Sequence, residues 1–239
     1  MRIYIYYTDM KGYPFKIIPM FKVTDGISFD FQHLIVDSGV NRFFKIERRK
    51  EYPETYLEMY PVLAEKLTRK YGNKVWIVIP DYPDDYEHNR IQDNMRRTLR
   101  NVELMIDRKA NWIVPIQAKW NDIEEFKEAC REYRDLIGDY PRIAIGTLCT
   151  RSRKDYAIKC CKIARKFFPD SWIHVFGPNI AWLRHIAPYI NSIDSVAYHY
   201  PPHGAKGRFR EKVKENWIRI WLSKANGYLS VWKGQQKLF

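Results

Sequence analysis

The chain has 239 residues, with 41 Lys and Arg against 28 Asp and Glu, a formal net charge of +13. Hydrophobic residues make up 46% and aromatics 15%, enough for a sizeable core, which excludes a wholly disordered chain. No run approaches the roughly 18 apolar residues of a membrane span, and no signal-peptide cleavage pattern follows Met1. A soluble, cytoplasmic protein with no membrane partner is therefore expected.

Short β-rich runs alternate with longer helical patterns. Arg2–Tyr7 alternates like a strand. Residues 8–33 carry the turn signals Lys11-Gly12-Tyr13-Pro14 and Thr24-Asp25-Gly26 and predict an irregular connection. Further strands are predicted at Leu34–Val36, Val75–Ile79, Trp112–Ile116, Arg142–Ile145, Trp172–Phe176, Ile193–Ala197 and Tyr228–Trp232. Helices are predicted near 53–70, 89–109, 122–136, 154–167, 179–187 and 208–224. Asn121-Asp122 before Glu124 and Glu125 reads as a capped, acidic helix start. Gly72, Gly138 and Gly227 stand where helices should end.

Several strand candidates are continuous apolar runs, as strands buried on both faces should be. Strand followed by helix, repeated, means parallel βαβ units. Eight strands in this length predict a compact α/β fold, a (β/α)8 TIM-type barrel forming one domain over 1–239, with a basic segment at 204–239. A doubly wound sheet would usually carry a Gly-rich phosphate loop after its first strand, and none is present.

The positive charge is concentrated. Residues 151–166 hold seven basic side chains against Asp155, and residues 204–239 hold nine against Glu211 and Glu215. Elsewhere the charges balance. Such patches predict a polyanion partner, because phosphate contacts release counterions. The plainer alternative is a solvated helix face. The four cysteines, Cys130, Cys149, Cys160 and Cys161, form no C-x-x-C pair. They read as buried reduced thiols, and no metal site is expected.

In barrels of this kind chemistry sits at the C-terminal ends of strands. Those ends carry Asp37-Ser38-Gly39, Pro80-Asp81-Tyr82-Pro83, Gln117, Gly146-Thr147-Leu148, Gly177-Pro178-Asn179 and Asp194. Each Asp alone also reads as a helix cap. Three carboxylates at one mouth point to acid/base or nucleophilic work.

This ordered series resembles the tRNA-guanine transglycosylase superfamily, (β/α)8 enzymes that exchange a guanine for a 7-deazaguanine. Its members include queuine and archaeosine tRNA-ribosyltransferases and a DNA-acting branch. Leu34-Ile35-Val36-Asp37-Ser38-Gly39 is similar to the family strand ending in Asp-Ser-Gly, and Trp112-Ile113-Val114-Pro115-Ile116-Gln117 to its strand ending in Gln. Ile143-Ala144-Ile145-Gly146-Thr147-Leu148 is similar to its Gly-Gly-Leu segment, Ile173-His174-Val175-Phe176-Gly177 to its His-x-x-Gly segment, and Ser192-Ile193-Asp194-Ser195 to the strand carrying its nucleophile.

The resemblance implies that Asp194 attacks C1′ of the target nucleotide and that Asp37 is the general acid/base. It implies that Asp81 binds the amidine edge of the base, and that Gln117 and the Gly146 N–H read its O6 side. Ser38, Gly39, Thr147, Leu148, His174 and Gly177 would complete the substrate site. Arg151, Arg153, Lys154, Lys206, Arg208 and Arg210 would take phosphates of the nucleic acid. The implied partners are DNA or tRNA and a guanine or 7-deazaguanine base, with a homodimer in keeping with the family. A carboxylate suits guanine's N1–H and N2–H2 donors, and two displacements at one carbon retain configuration. Gly146 leaves its backbone open to a planar base.

The chain departs from the family's tRNA enzymes in three ways. No cysteine follows Asp194, so the zinc-binding subdomain is absent and no cofactor is expected; His199 and His203 alone make no zinc set. Thr147 replaces the second glycine. Val40-Asn41-Arg42 displaces the expected aromatic, leaving Phe43 or Phe44 to stack on the base or to join the core. These departures favour DNA over tRNA and a minimal enzyme, such as one encoded by a virus or mobile element. Two other readings stay open: a decayed barrel that only binds nucleic acid, and a glycoside hydrolase-like barrel. His174 reads either as a satisfied interior histidine or as a pocket group that contacts the sugar or positions a carboxylate. Tyr82, Tyr198 and Tyr200 read as base-stacking or packing residues, and Arg96, Arg97 and Arg100 as a solvated helix face.

Overall fold

The computed structural model describes residues 1–7, 10–23, 27–84, 93–119, 121–148, 153–195 and 211–236, with side chains of the last segment described over 217–229. Among these residues, eight parallel strands close into a barrel in sequence order. They are β1 (Arg2–Tyr6), β2 (Phe15–Pro19), β3 (His33–Asp37), β4 (Val75–Val78), β5 (Trp112–Ile116), β6 (Arg142–Ile145), β7 (Trp172–Val175) and β8 (Ser192–Asp194). β8 returns to β1 with Tyr4 opposite Asp194, which closes the cylinder. The expected (β/α)8 architecture is therefore present. No helix among the described residues is long and apolar enough to cross a membrane.

Strand alternation divides the side chains into two layers. Tyr4, Ile17, Ile35, Val78, Ile113 and Ala144, one from each of the first six strands, meet Phe176 in a cluster that fills the barrel. Their neighbours Ile3, Ile5, Leu34, Val36, Ile77, Val114, Ile143 and Ile173 face the helices. Both faces are buried, so the strands read as unbroken apolar runs. Continuing the alternation by two residues from Ile35 and Ala144 brings Asp37 and Gly146 to the interior side of the mouth.

The outer layer contains α1 (Glu54–Tyr71), α2 (Asn94–Met105), α3 (Ile123–Ile137), α4 (Lys154–Phe167), the single turn α5 (Leu183–Ile186) and α6 (Glu211–Gln236). Asp122 caps α3 as its sequence predicts, accepting from the N–H groups of Glu124 and Glu125 at 3.2 and 3.1 Å. Asp93 caps α2 through Arg96 N–H. The helix expected over 179–187 is broken into α5 flanked by two short 3-10 turns.

Two expectations fail and compensate each other in the strand count. The stretch read as irregular contains β2, whose apolar pattern is interrupted by Lys16 and closed by Pro19. Lys16 is only 2% exposed, and its ammonium donates to the Met10 carbonyl, so a charged residue occupies a buried strand position. The run Tyr228–Trp232, expected as the last strand, belongs to α6, and Gly227 lies inside that helix rather than after it. Among its described side chains Ile218, Trp221, Leu222, Ala225 and Leu229 are buried, a helical stripe that a short apolar run cannot disclose by itself.

Candidate active site

The end of β3 forms the first wall. Gly39 has φ +87, and its N–H donates to Oδ2 of Asp37 at 3.1 Å, bending the chain back over the carboxylate. A side chain here would adopt a disfavoured backbone conformation and press Phe21 and Phe43 at 3.2 Å. Between them Ser38 is fully buried and donates from Oγ to Oδ1 of Asp81 at 2.8 Å. Tyr56 donates to the Ser38 carbonyl and Tyr52 to the Asp81 carbonyl, at 2.8 and 3.0 Å. Two α1-side tyrosines thus tie the ends of β3 and β4 together.

Asp81 is satisfied from both sides. Its second oxygen accepts from Nε2 of Gln117 at 2.5 Å, while Oε1 of Gln117 is buried without a donor. The Gln117 amide lies against Gly146, where a Cβ would come within 2.3 Å of Nε2. Gly146 is therefore needed for the close approach of Gln117. Its N–H donates to the Ile116 carbonyl at 3.0 Å, which corrects the expectation that this N–H is free to read a base. The barrel ladder between β5 and β6 continues through it.

The third wall comes from β7 and β8. His174 is fully buried, with Nδ1 2.7 Å from Ser192 Oγ and Nε2 3.3 Å from Oδ1 of Asp194. The N–H of Gly177 donates to the same Oδ1 at 3.0 Å. Trp172 stacks on the imidazole at 5.7 Å between centroids, and Phe176 meets it edge-on at 4.7 Å. Asp194 itself keeps 15% of its side chain exposed at the mouth.

The carboxylates differ electrically. Burial, then the charge of Asp81, pushes Asp37 up to about 7; the Gly39 hydrogen bond opposes this shift, and the charge of Asp194 adds to it. Burial also raises Asp81, against the pull of its Ser38 and Gln117 donors. A carboxyl poised near neutrality beside other carboxylates is a feature of acid/base sites.

Other expected site residues lie elsewhere. Thr147 is fully buried and donates to the Ala118 carbonyl, and Leu148 packs in the strand–helix core, so neither presents a side chain to the mouth. Phe43, Phe44 and Tyr82 are buried in one aromatic cluster with Tyr52, and Arg97 lies 3.7 Å over the Tyr82 ring. Arg153 and Lys154 are exposed at the start of α4, and Lys159, Lys162 and Lys166 continue along it. Arg165 is a structural tie instead, donating to the carbonyls of Phe168, Pro169, Ser171 and Tyr189 and to Asn191 Oδ1. Arg151, Lys206, Arg208 and Arg210, with Tyr198, Tyr200, His199 and His203, lie outside the described residues. Cys130, Cys160 and Cys161 are buried free thiols. Among the described residues no group of three His, Cys, Asp or Glu side chains could hold a metal ion.

Sequence reasoning misses Tyr52, Tyr56 and Ser192. The tyrosines carry no local signal. Ser192 does carry one, since it stands two residues before Asp194 and so on the same strand face. Comparison of the chain with protein-family models and with curated proteins finds no match.

Proposed function

We propose that this barrel is a nucleic-acid guanine transglycosylase that exchanges guanine for a 7-deazaguanine base, with DNA favoured over tRNA. The observation that carries the reading is the pair of differently held carboxylates at one mouth. Asp37 is pushed up to about 7, and Asp194 has one oxygen tied by two nitrogen groups. In this reading a carboxylate oxygen of Asp194 bonds to C1′ as the bond from C1′ to N9 of guanine breaks. The departing electron pair stays on the base, which takes a proton from Asp37. The incoming base returns its N9 proton to Asp37, N9 bonds to C1′, and Asp194 leaves with its electrons. Two inversions retain configuration.

The target nucleotide must leave a duplex stack to reach the mouth. Asp81 and Gln117 are paired with each other, so a base engages Asp81 as the Gln117 amide turns away. Released from Asp81, Nε2 of Gln117 would donate to O6 of the base. Arg153 and Lys154, exposed at the start of α4, would supply positive charge for the phosphates of a bound strand.

Incubation with labelled guanine and either duplex DNA or tRNA tests this. Label should enter one of them, and Asp194→Asn should abolish the covalent protein–nucleic acid complex. No incorporation by folded protein into either overturns the reading. The occupied Gly146 N–H and the internally satisfied Asp81 favour one second reading, a nucleic-acid-binding barrel without turnover. It predicts steep salt-dependent binding that survives loss of both Asp37 and Asp194.

A further inference from the structure

We infer that Ser192 and His174 act as positioning residues that single out one oxygen of Asp194 for attack; this rests on the transglycosylase reading above. The β7–β8 register sets His174 directly opposite Ser192. Both side chains are fully buried, and Ser192 Oγ lies 2.7 Å from Nδ1. The other ring nitrogen, Nε2, lies 3.3 Å from Oδ1 of Asp194.

The tautomer follows from what each partner offers. A carboxylate oxygen accepts, so Nε2 carries the proton that it donates to Asp194. In the neutral ring Nδ1 is then an acceptor and needs a donor. The Ser192 hydroxyl is that donor. The opposite tautomer would turn the Nε2 lone pair on Oδ1, two acceptors facing each other in a buried site. Ser192 therefore orients Asp194 without touching it, by setting which nitrogen of His174 bears hydrogen.

The consequence falls on the carboxylate. Oδ1 accepts from His174 and from the Gly177 N–H. Oδ2 is left for C1′. The ring that holds Oδ1 is clamped by Trp172 on its face and by Tyr4 and Phe176 at its edges, so the aim of Oδ2 is fixed before substrate arrives. Such preorganisation supplies rate by orientation rather than by added binding.

The experiment pairs kinetics with nitrogen NMR on the full chain. Ser192→Ala should slow formation of the covalent DNA complex about 10–100-fold while leaving KM for guanine within about twofold, and Ser192→Thr, which keeps the hydroxyl, should restore most of the rate. Gln at position 174 offers an N–H near the place of Nε2 without any tautomer to set. In the His174→Gln background, Ser192→Ala should then have little further effect. A folded Ser192→Ala protein with wild-type kinetics overturns the inference, as does an equal loss from Ser192→Ala in both backgrounds. NMR of the wild-type protein decides the matter even where a variant does not fold. The Nε2–H tautomer supports it; an Nδ1–H tautomer or a doubly protonated ring at neutral pH overturns it. Wild-type protein that incorporates no guanine removes the transglycosylase reading instead, and the tautomer still decides whether Ser192 orients His174.

Discussion

Nε2 of Gln117 lies 2.5 Å from Oδ2 of Asp81, so the two residues expected to grip opposite edges of a base grip each other. Ser38 holds the other Asp81 oxygen at 2.8 Å. A base that presents two parallel N–H donors competes with these partners. Asp81→Asn keeps the shape but replaces one acceptor oxygen with an NH2 donor. It should raise KM for guanine by up to about 100-fold, the scale of one buried polar group left unmatched at about 1–3 kcal/mol. Unchanged KM would remove Asp81 from base recognition.

Gly146→Ala tests the packing beneath that pair. The added Cβ would sit 2.3 Å from Gln117 Nε2 and push the amide off Asp81. A buried acceptor left without its donor costs about 1–3 kcal/mol. Urea unfolding should show that loss. The same substitution in a Gln117→Ala background should cost much less, because nothing remains to be displaced. Equal costs in both backgrounds would show that Gln117 is not the limiting contact.

Asp37 links stability to pH. Its carboxyl is raised from 3.8 to about 7 by burial first and Asp81 second. Between these values the folded protein keeps a proton that the unfolded chain has lost. Stability from this group is thus full below about pH 4, falls as pH rises to about 7, and stays low above. Asp37→Asn cannot ionise, so its advantage over wild type should grow across that window by up to about 4 kcal/mol. A difference independent of pH in urea unfolding would contradict the shift.

The same shift should govern the proposed turnover. In the proposed reaction the departing guanine would take its proton from Asp37, so the rate of covalent complex formation should fall as pH rises through about 7. A single-turnover pH profile that stays flat from pH 6 to pH 8 (round values about one unit either side) would show that another group supplies the proton.

Helix α4 tests where nucleic acid runs. Arg153 and Lys154 are exposed at its mouth end, and Lys162 and Lys166 at its far end, more than about 10 Å along the axis. Neutralising the first pair to Gln should weaken duplex DNA binding and flatten the log affinity against log salt slope by about 1–2. Neutralising the second pair should change the slope little. Equal effects would make the basic helix a diffuse attractor rather than a track to the mouth.

Local order in the sequence was enough for most of the barrel and for the positions of its mouth residues. A strand buried on both faces needs an unbroken apolar run, and the polar residue that ends it stands at the mouth. Asp37, Gln117, Gly146 and Asp194 were legible for that reason, and Asp122 was legible as a cap because its partners lie within three residues. β2 was not, because Lys16 and Pro19 break the pattern, and one partner of the buried Lys16 ammonium is the Met10 carbonyl across a turn. The run at Tyr228–Trp232 is equally apolar as strand or helix, and only the stripe from Ile218 to Leu229 distinguishes them. What closure of the barrel alone decided is which polar groups meet. It placed Gln117 on Asp81, spent the Gly146 N–H on Ile116, and set Ser192 beside His174. Hydrogen bonds between strand ends depend on register and on the neighbour across the barrel, and neither is written in any one segment of the chain.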